Sequence, residues 1–113
     1  MDQHVKVSPD VDGVRVIACA GEFDQDTLEP LRQAIAGALA DPVRTIVLDV
    51  SEVAFADSSM LNELLRLRRT GRPLVLAGPL SPQMARLFEL TSADRIFTVV
   101  DGVETARITR PAR

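Results

Sequence analysis

Residues 46–61 read IVLDVSEVAFADSSML, and this stretch carries the clearest structural signal in the chain. The β-branched run at residues 45–50 predicts a strand that is buried on both faces. The leucine-rich pattern at residues 59–69 predicts a helix with Leu61, Leu64 and Leu65 as core candidates. The polar turn between them therefore opens a helix, where backbone N–H groups lack partners and the helix dipole is positive.

The turn Asp57-Ser58-Ser59 admits two interpretations. A phosphate on one serine would add a charge of about −1.5 to −2 to the surface while remaining compatible with the helix N-terminus. Such a turn is a candidate switch. Alternatively, Asp57, Ser58 or Ser59 serves only as the N-cap, which is the commoner role of these residue types. The turn alone leaves both interpretations open.

The rest of the chain continues as short alternating elements. Strands are predicted at residues 4–8, 14–20, 74–77 and 96–100, with turn chemistry from Pro9 to Gly13 joining the first two. An earlier helix places Leu28, Leu31, Ile35 and Leu39 on one face and stops at Asp41-Pro42. Because helices separate most of the strands, we expect an α/β fold, a mixed and mostly parallel sheet of about five strands with four helices in a single domain.

Local signals mark several helix ends. Gly71 is expected to be the C′ residue of the serine-turn helix, and Ser81-Pro82 is expected to cap and start the next one. Asp101 and Glu104 resemble a capping box that opens a final helix. If the βα units are real, Leu48, Leu64, Leu87 and Ile96 should all be buried in one core.

Composition excludes several functions. The 113-residue chain has a net charge of −3 and only 4% aromatic residues, which argues against direct nucleic-acid binding. No apolar run approaches the ~20 residues of a membrane span, and no secretion signal is visible at the N-terminus. Cys19, the only cysteine, lies in an apolar run and reads as a buried hydrophobe. The cytoplasm is the expected compartment.

Catalytic patterns are weak. The sequence contains no glycine-rich phosphate loop and no clustered Cys or His, so we expect no cofactor and no metal. Glu22, Asp24, Asp49 and Asp57 could approach one another at strand ends, and a hydrolase using Asp24 and Asp57 is one hypothesis. Since no base or second polar group has a clear role, the expected protein is a binding module, not an enzyme.

Four segments together resemble the STAS domain family, and in particular the stand-alone bacterial anti-sigma factor antagonists. They are residues 21–24 (GEFD), 46–49 (IVLD), 55–61 (FADSSML) and 80–90 (LSPQMARLFEL). The GEFD and ADSS segments at this spacing form a more specific pair than either alone. The resemblance covers about residues 4–108, so the chain is expected to be a single STAS domain over residues 1–113.

The resemblance implies a partner switch. In that family the antagonist binds an anti-sigma factor that is also a serine kinase, which frees a sigma factor. Phosphorylation by the kinase ends the complex, and a serine phosphatase resets it. Carried over by motif, the phosphorylated residue is Ser58, and Asp24 is an acid near the same surface. The expected partner-binding residues are Asp24, Asp57, Ser59, Met60 and Leu61.

Two positions depart from the family pattern. Met60 and Asn62 stand where the family usually has glycine, and Met60 is expected to offer a flexible apolar contact. The alternative function is therefore a STAS subunit that docks on an ATPase, for example in a lipid-transport complex. For the switch, Ser58 must be accessible at the start of its helix, with Asp24 on a neighbouring loop at the same end of the sheet.

Overall fold

The computed structural model describes residues 3–111 and confirms the predicted α/β class. Over that range it has five strands, four α-helices and one 3₁₀ turn at Ala93–Arg95. The strands are β1 (His4–Val7), β2 (Val14–Phe23), β3 (Thr45–Ala56), β4 (Leu74–Gly78) and β5 (Val99–Asp101). The helices are α1 (Glu29–Ala40), α2 (Ser58–Arg69), α3 (Pro82–Leu90) and α4 (Val103–Arg107).

The strands lie in the order β1-β2-β3-β4-β5 within one mixed sheet. β1 pairs antiparallel with β2, and all later neighbours are parallel. The β1–β2 hairpin turns at Asp12 and Gly13, which both have positive φ (53° and 75°), as an Asp-Gly turn of type I′ requires. Each parallel pair is joined by a helix, so the strand carboxyl ends meet at one edge.

Alternation along the strands divides the core into two layers. Ile46 and Leu48 point toward α1, α2 and α3, while the intervening Val47 belongs to a smaller cluster with Ala106 of α4. Successive strand residues face opposite sides of a sheet, so these clusters cover its two faces. Leu48 and Leu64 are fully buried in the larger cluster, as predicted.

Two strands run further than their local patterns predict. β2 continues through Gly21 to Phe23, beyond the predicted end at residue 20, and β3 continues to Ala56, beyond the predicted end at residue 50. The pairing of Glu22 with Phe55 and of Phe23 with Ala56 supplies the backbone hydrogen bonds that the local sequence does not reveal. Because of these extensions, both strands end at the same edge of the sheet, and the polar turn after each strand begins there.

The C-terminal part departs most from the prediction. β5 covers only Val99–Asp101, and Ile96 is 40% exposed; the expectation that Ile96 is in the core is wrong. Phe97 is buried instead, with its ring centroid 5.6 Å from that of Phe88. Leu87 is only half-buried at the edge of the core.

Helix capping is confirmed at two ends and wrong at a third. Gly71 has φ +83° just after the C-cap of α2, and the Ser81 hydroxyl accepts the Met84 N–H at 3.1 Å. By contrast, α4 starts after Gly102 with no side-chain cap, so the capping box expected at Asp101 does not form.

Candidate functional site

The serine turn lies at the carboxyl edge of the sheet, where β2 and β3 end side by side. Phe23 is the register partner of Ala56, and the Asp57 N–H donates to the Phe23 carbonyl at 3.2 Å. Asp24 and Asp57 each follow directly after one of these paired residues. The two acids therefore flank the start of α2 at the same end of the sheet, as the sequence predicted.

Asp57 is the N-cap of α2. Its Oδ1 accepts the backbone N–H groups of Ser59 at 2.8 Å and Met60 at 3.2 Å. The capping interpretation is thus confirmed for Asp57. Ser58 is therefore not needed to cap the helix. Ser58 is exposed as the first residue of the helix, and its hydroxyl makes no hydrogen bond to another residue in the range 3–111. Ser59 is half-buried.

Asp24 is held in a tight loop after β2. Its Oδ1 accepts the Asp26 N–H at 2.9 Å, and its own N–H donates to the Thr27 hydroxyl at 2.9 Å. The Thr27 hydroxyl in turn donates to the Glu22 carbonyl at 3.1 Å. These bonds orient the half-buried Asp24 carboxylate within the loop, so the negative charge keeps a defined place next to the turn.

Met60 and Leu61 do not contribute to this surface. Met60 is fully buried and Leu61 is 5% exposed, because both belong to the face of α2 that packs on the sheet. The expectation that they give a partner apolar contact is therefore wrong, although Leu61 is a core residue as predicted. The exposed neighbour on the same helix is Asn62.

Phe55 is the apolar side chain that the site does expose, and the sequence analysis gave it no role. It is 40% exposed, two residues before Asp57. The register between β2 and β3 shifts so that Ala54 has no partner: Val53 pairs with Gly21, and Phe55 with Glu22. Such a bulge adds one residue to a strand and changes the face on which later side chains emerge. The only sequence signal of the bulge is the unbroken apolar run Val53-Ala54-Phe55-Ala56, which departs from the alternation of a half-buried strand.

A second missed residue holds the end of β3 in place. The Gln83 side-chain amide donates to the Ala56 carbonyl at 2.7 Å, and its carbonyl oxygen accepts the Ala56 N–H at 2.9 Å. β4 pairs with β3 only as far as Asp49, so Gln83 satisfies backbone groups that no strand reaches. The turn that carries Ser58 is therefore anchored on both sides.

The site offers little for catalysis. Across residues 3–111, no three His, Cys, Asp or Glu side chains are arranged to hold a metal ion. Burial, with a smaller contribution from Asp49, raises the pKa of the Cys19 thiol to about 12, so Cys19 stays protonated at neutral pH. The site presents an exposed Ser58 hydroxyl at an anchored helix start, with Asp57 capping that helix and Asp24 at the end of the neighbouring strand.

The fold and this turn define a class: a small α/β domain that presents a serine at the start of the second helix. A family model described as "Mlab, STAS domain" matches residues 9–101. The chain therefore belongs to the STAS domain family.

Solved structures of antagonists share the fold. An anti-sigma factor antagonist from Mycobacterium paratuberculosis superposes with a TM-score of 0.83 at 29% identity, covering 93% of this chain and 91% of that one. The unphosphorylated anti-sigma factor antagonist SpoIIAA gives 0.70 at 24% identity, with 93% of each chain covered. The phosphorylated form of the Bacillus cell fate determinant SpoIIAA gives 0.66 at 23% identity, covering 93% and 96%.

Among residues 3–111, no helix combines the length and apolar composition needed to cross a membrane.

Proposed function

We propose that this protein is an anti-sigma factor antagonist that is switched off by phosphorylation of Ser58. Its partner is an anti-sigma factor with serine kinase activity, and a serine phosphatase restores the binding form. The proposal rests on the different roles of Asp57 and Ser58 in the turn. Asp57 caps α2, while the exposed Ser58 hydroxyl holds no other residue.

Electrostatics explain how a phosphate there weakens binding without a refold. The N–H groups of Ser59 and Met60, which would otherwise receive an anion, already bond to Asp57 Oδ1. The phosphate charge of about −1.5 to −2 is then added beside Asp57 and near Asp24. Each unit charge pair at 4 Å is worth about 1 kcal/mol in water and more where a partner excludes water. A partner that matches the unmodified surface must therefore desolvate or repel the new dianion.

Relatives support the proposal in two ways. The Mycobacterium paratuberculosis protein, at 29% identity over nearly the whole chain, is itself an anti-sigma factor antagonist. SpoIIAA, which shares the fold, has been solved in both unphosphorylated and phosphorylated forms.

The apolar part of the proposed interface is Phe55. Aromatic residues, Phe among them, are enriched in protein–protein interfaces relative to the rest of the surface. Phe55 lies on the strand that leads into the serine turn, so one partner surface can cover the ring, Ser58 and Asp24 together. It takes the place that Met60 was expected to fill.

Phosphorylation tests the proposal directly. The chain is incubated with ATP and each kinase-type anti-sigma factor from the same genome, and intact mass with peptide mapping follows. We expect one phosphoryl group on Ser58, none on Ser58→Ala, and normal modification of Ser59→Ala, the matched control. Modification of Ser59 alone, or of neither serine by any of these kinases, would contradict the proposal.

The second candidate is a STAS subunit that docks on an ATPase, such as one in a lipid-transport complex. The matched family model is described as Mlab and not as an antagonist, which is the observation that favours it. Docking uses the same surface but needs no phosphate. Binding to an ATPase that is lost in Phe55→Ala and retained in Ser58→Asp would favour this candidate over the switch.

A further inference from the structure

A basic cleft lies at the edge of the sheet opposite the serine turn. It encloses about 880 Å³ between the start of β3 and β4 and the segment that follows α4. Four arginines line it, Arg44, Arg68, Arg72 and Arg110, and no Asp or Glu is among its lining residues. For a chain with a net charge of −3, this is a marked local excess of positive charge.

The four charges have no carboxylate partners within residues 3–111. Arg68 Nε donates to the Ile96 carbonyl at 3.1 Å, and Arg44 donates to the Asp12 carbonyl at 2.8 Å. Carbonyls orient a guanidinium but do not neutralise it. Elsewhere, Arg15 forms ion pairs with Asp10 at 2.7 Å and Asp41 at 2.8 Å. Internal pairing is thus available in this fold but is not used in the cleft.

Helix dipoles account for part of the arrangement but not for all of it. α1 and α2 both end at this edge, and the last turn of a helix carries roughly −0.5 charge. Arg72 interacts directly with the end of α1, because its guanidinium donates to the carbonyls of Ala38 and Leu39 at 3.1 and 3.2 Å. Arg68 lies in the last turn of α2, where its charge also complements the dipole. Two helix ends offset about one of the four positive charges, so most of the excess remains for a ligand.

The cleft also has the size and the apolar surface of a small-molecule site. Its volume falls within the roughly 300–1,000 Å³ usual for ligand pockets. Pro73, Leu74, Ile96 and Phe97 supply the apolar part of the lining, and Ile96 is 40% exposed. Guanidinium groups bind phosphate oxygens through paired N–H donors.

We propose that this cleft binds a small organic phosphate, with the phosphate held by Arg68 and Arg110 and an apolar or ring portion against Leu74 and Ile96. The site is independent of the serine turn, since none of the residues between Asp24 and Ile35 or between Val50 and Leu67 line it. It would give the domain a metabolite input separate from phosphorylation.

Titration with phenyl phosphate, inorganic phosphate and sodium benzoate at matched ionic strength tests the proposal, with amide chemical shifts followed by NMR. We expect phenyl phosphate to bind more tightly than either fragment, and to shift Gly71 and Thr109 while leaving Ser58 unmoved. Benzoate as strong as phenyl phosphate would show that the phosphate is not recognised. Equal shifts with added sodium chloride would show screening only. Either result overturns the proposal.

Charge-removing variants locate the site. Arg110→Gln should weaken phenyl phosphate binding about tenfold, the cost of one charge-assisted contact. Arg110 is exposed and makes no hydrogen bond within residues 3–111, so the variant should fold normally. Arg69→Gln is the matched control, because it removes the same charge from an exposed residue that does not line the cleft. Equal weakening in both variants, or none in Arg110→Gln, would contradict the assignment.

Discussion

The two edges of the sheet carry opposite charges, and at both edges the charges complement helix dipoles. The two edges nevertheless differ in the surface that they expose. At the carboxyl edge, α2 begins and Asp57 bonds to its free N–H groups. At the amino edge, α1 ends and Arg72 donates to the free carbonyls of Ala38 and Leu39 in its last turn. In each case the charge complements the helix dipole. The acidic edge, however, exposes the Ser58 hydroxyl, whereas the basic edge contains a cleft. Matching the dipole accounts for Asp57, for Arg72 and for Arg68 in the last turn of α2, whereas Ser58 and Arg110 have no such explanation.

The largest expected effect tests what lies beneath the acidic edge. Met60→Asp should lower the free energy of unfolding by at least about 3 kcal/mol, because it places a carboxylate in a fully buried site without a partner. Leu64→Ala, at another fully buried position, should cost about 2 to 5 kcal/mol. Urea denaturation measures both. Asn62→Asp, an exposed position on the same helix, is the control and should change stability by less than about 0.5 kcal/mol. If the Met60→Asp protein is as stable as the parent chain, Met60 is not buried, and a role for it in partner binding is possible again.

The second prediction concerns the basic edge. Arg72→Gln should cost about 1.5 to 3 kcal/mol, the range for losing hydrogen bonds to a charged group. The carbonyls of Ala38 and Leu39 in α1, and of Asp41 and Val43 just after it, lose their donor. The midpoint of a thermal or urea melt reports the loss. Arg69→Gln should leave the midpoint unchanged, since the Arg69 side chain is exposed and makes no hydrogen bond or ion pair with a residue in 3–111. Equal midpoints for the two variants would mean that the α1 end does not depend on Arg72.

The matching change at the acidic edge should be smaller. Asp57→Ala removes the N-cap of α2 and should cost about 1 kcal/mol, within the usual range of 0.5 to 2. Asp57→Ser keeps a capping oxygen and should recover most of that loss in the same melts. If Asp57→Ala is as stable as the parent chain, the two N–H groups at the helix start are satisfied by water and the cap is not structural.

Ser58→Asp should have the smallest effect on stability, but it should measurably weaken partner binding. Ser58→Asp should leave the unfolding free energy nearly unchanged, because the serine hydroxyl holds no residue within 3–111. It should weaken binding to the proposed anti-sigma factor partner about fivefold at low salt, roughly the 1 kcal/mol of one exposed charge pair at 4 Å. Raising the salt to about 0.1 M or more should reduce the difference, since screening then acts within about 10 Å. Calorimetry measures both, with Ser58→Ala expected to bind like the parent.

A binding defect that persists unchanged at high salt would point to a steric cause at Ser58. Full affinity of Ser58→Asp at low salt would remove the electrostatic part of the switch.

Features set by a few adjacent residues were readable from the sequence. The Asp12-Gly13 turn, the Gly71 helix end and the Ser81-Pro82 helix start all depend on local backbone preference, and each forms as predicted. The position of the serine turn was predictable for the same reason, because a strand pattern passes directly into a helix pattern. The edge shared by Asp24 and Asp57 followed from the rule that parallel strands end together.

Tertiary structure decided which side chains face outward at the site. An apolar residue at a helix start can pack inward or stand in solvent, and only the position of α2 on the sheet buries Met60. Phe55 is exposed because β3 carries one residue more than β2 between two pairings, a property of the pair and not of either strand. The hydrogen bonds between Gln83 and Ala56, and the basic cleft, each join segments far apart in the chain. Short-range preferences therefore placed the elements and the serine turn, whereas burial and long-range contacts, which depend on packing, determined the surface that a partner meets.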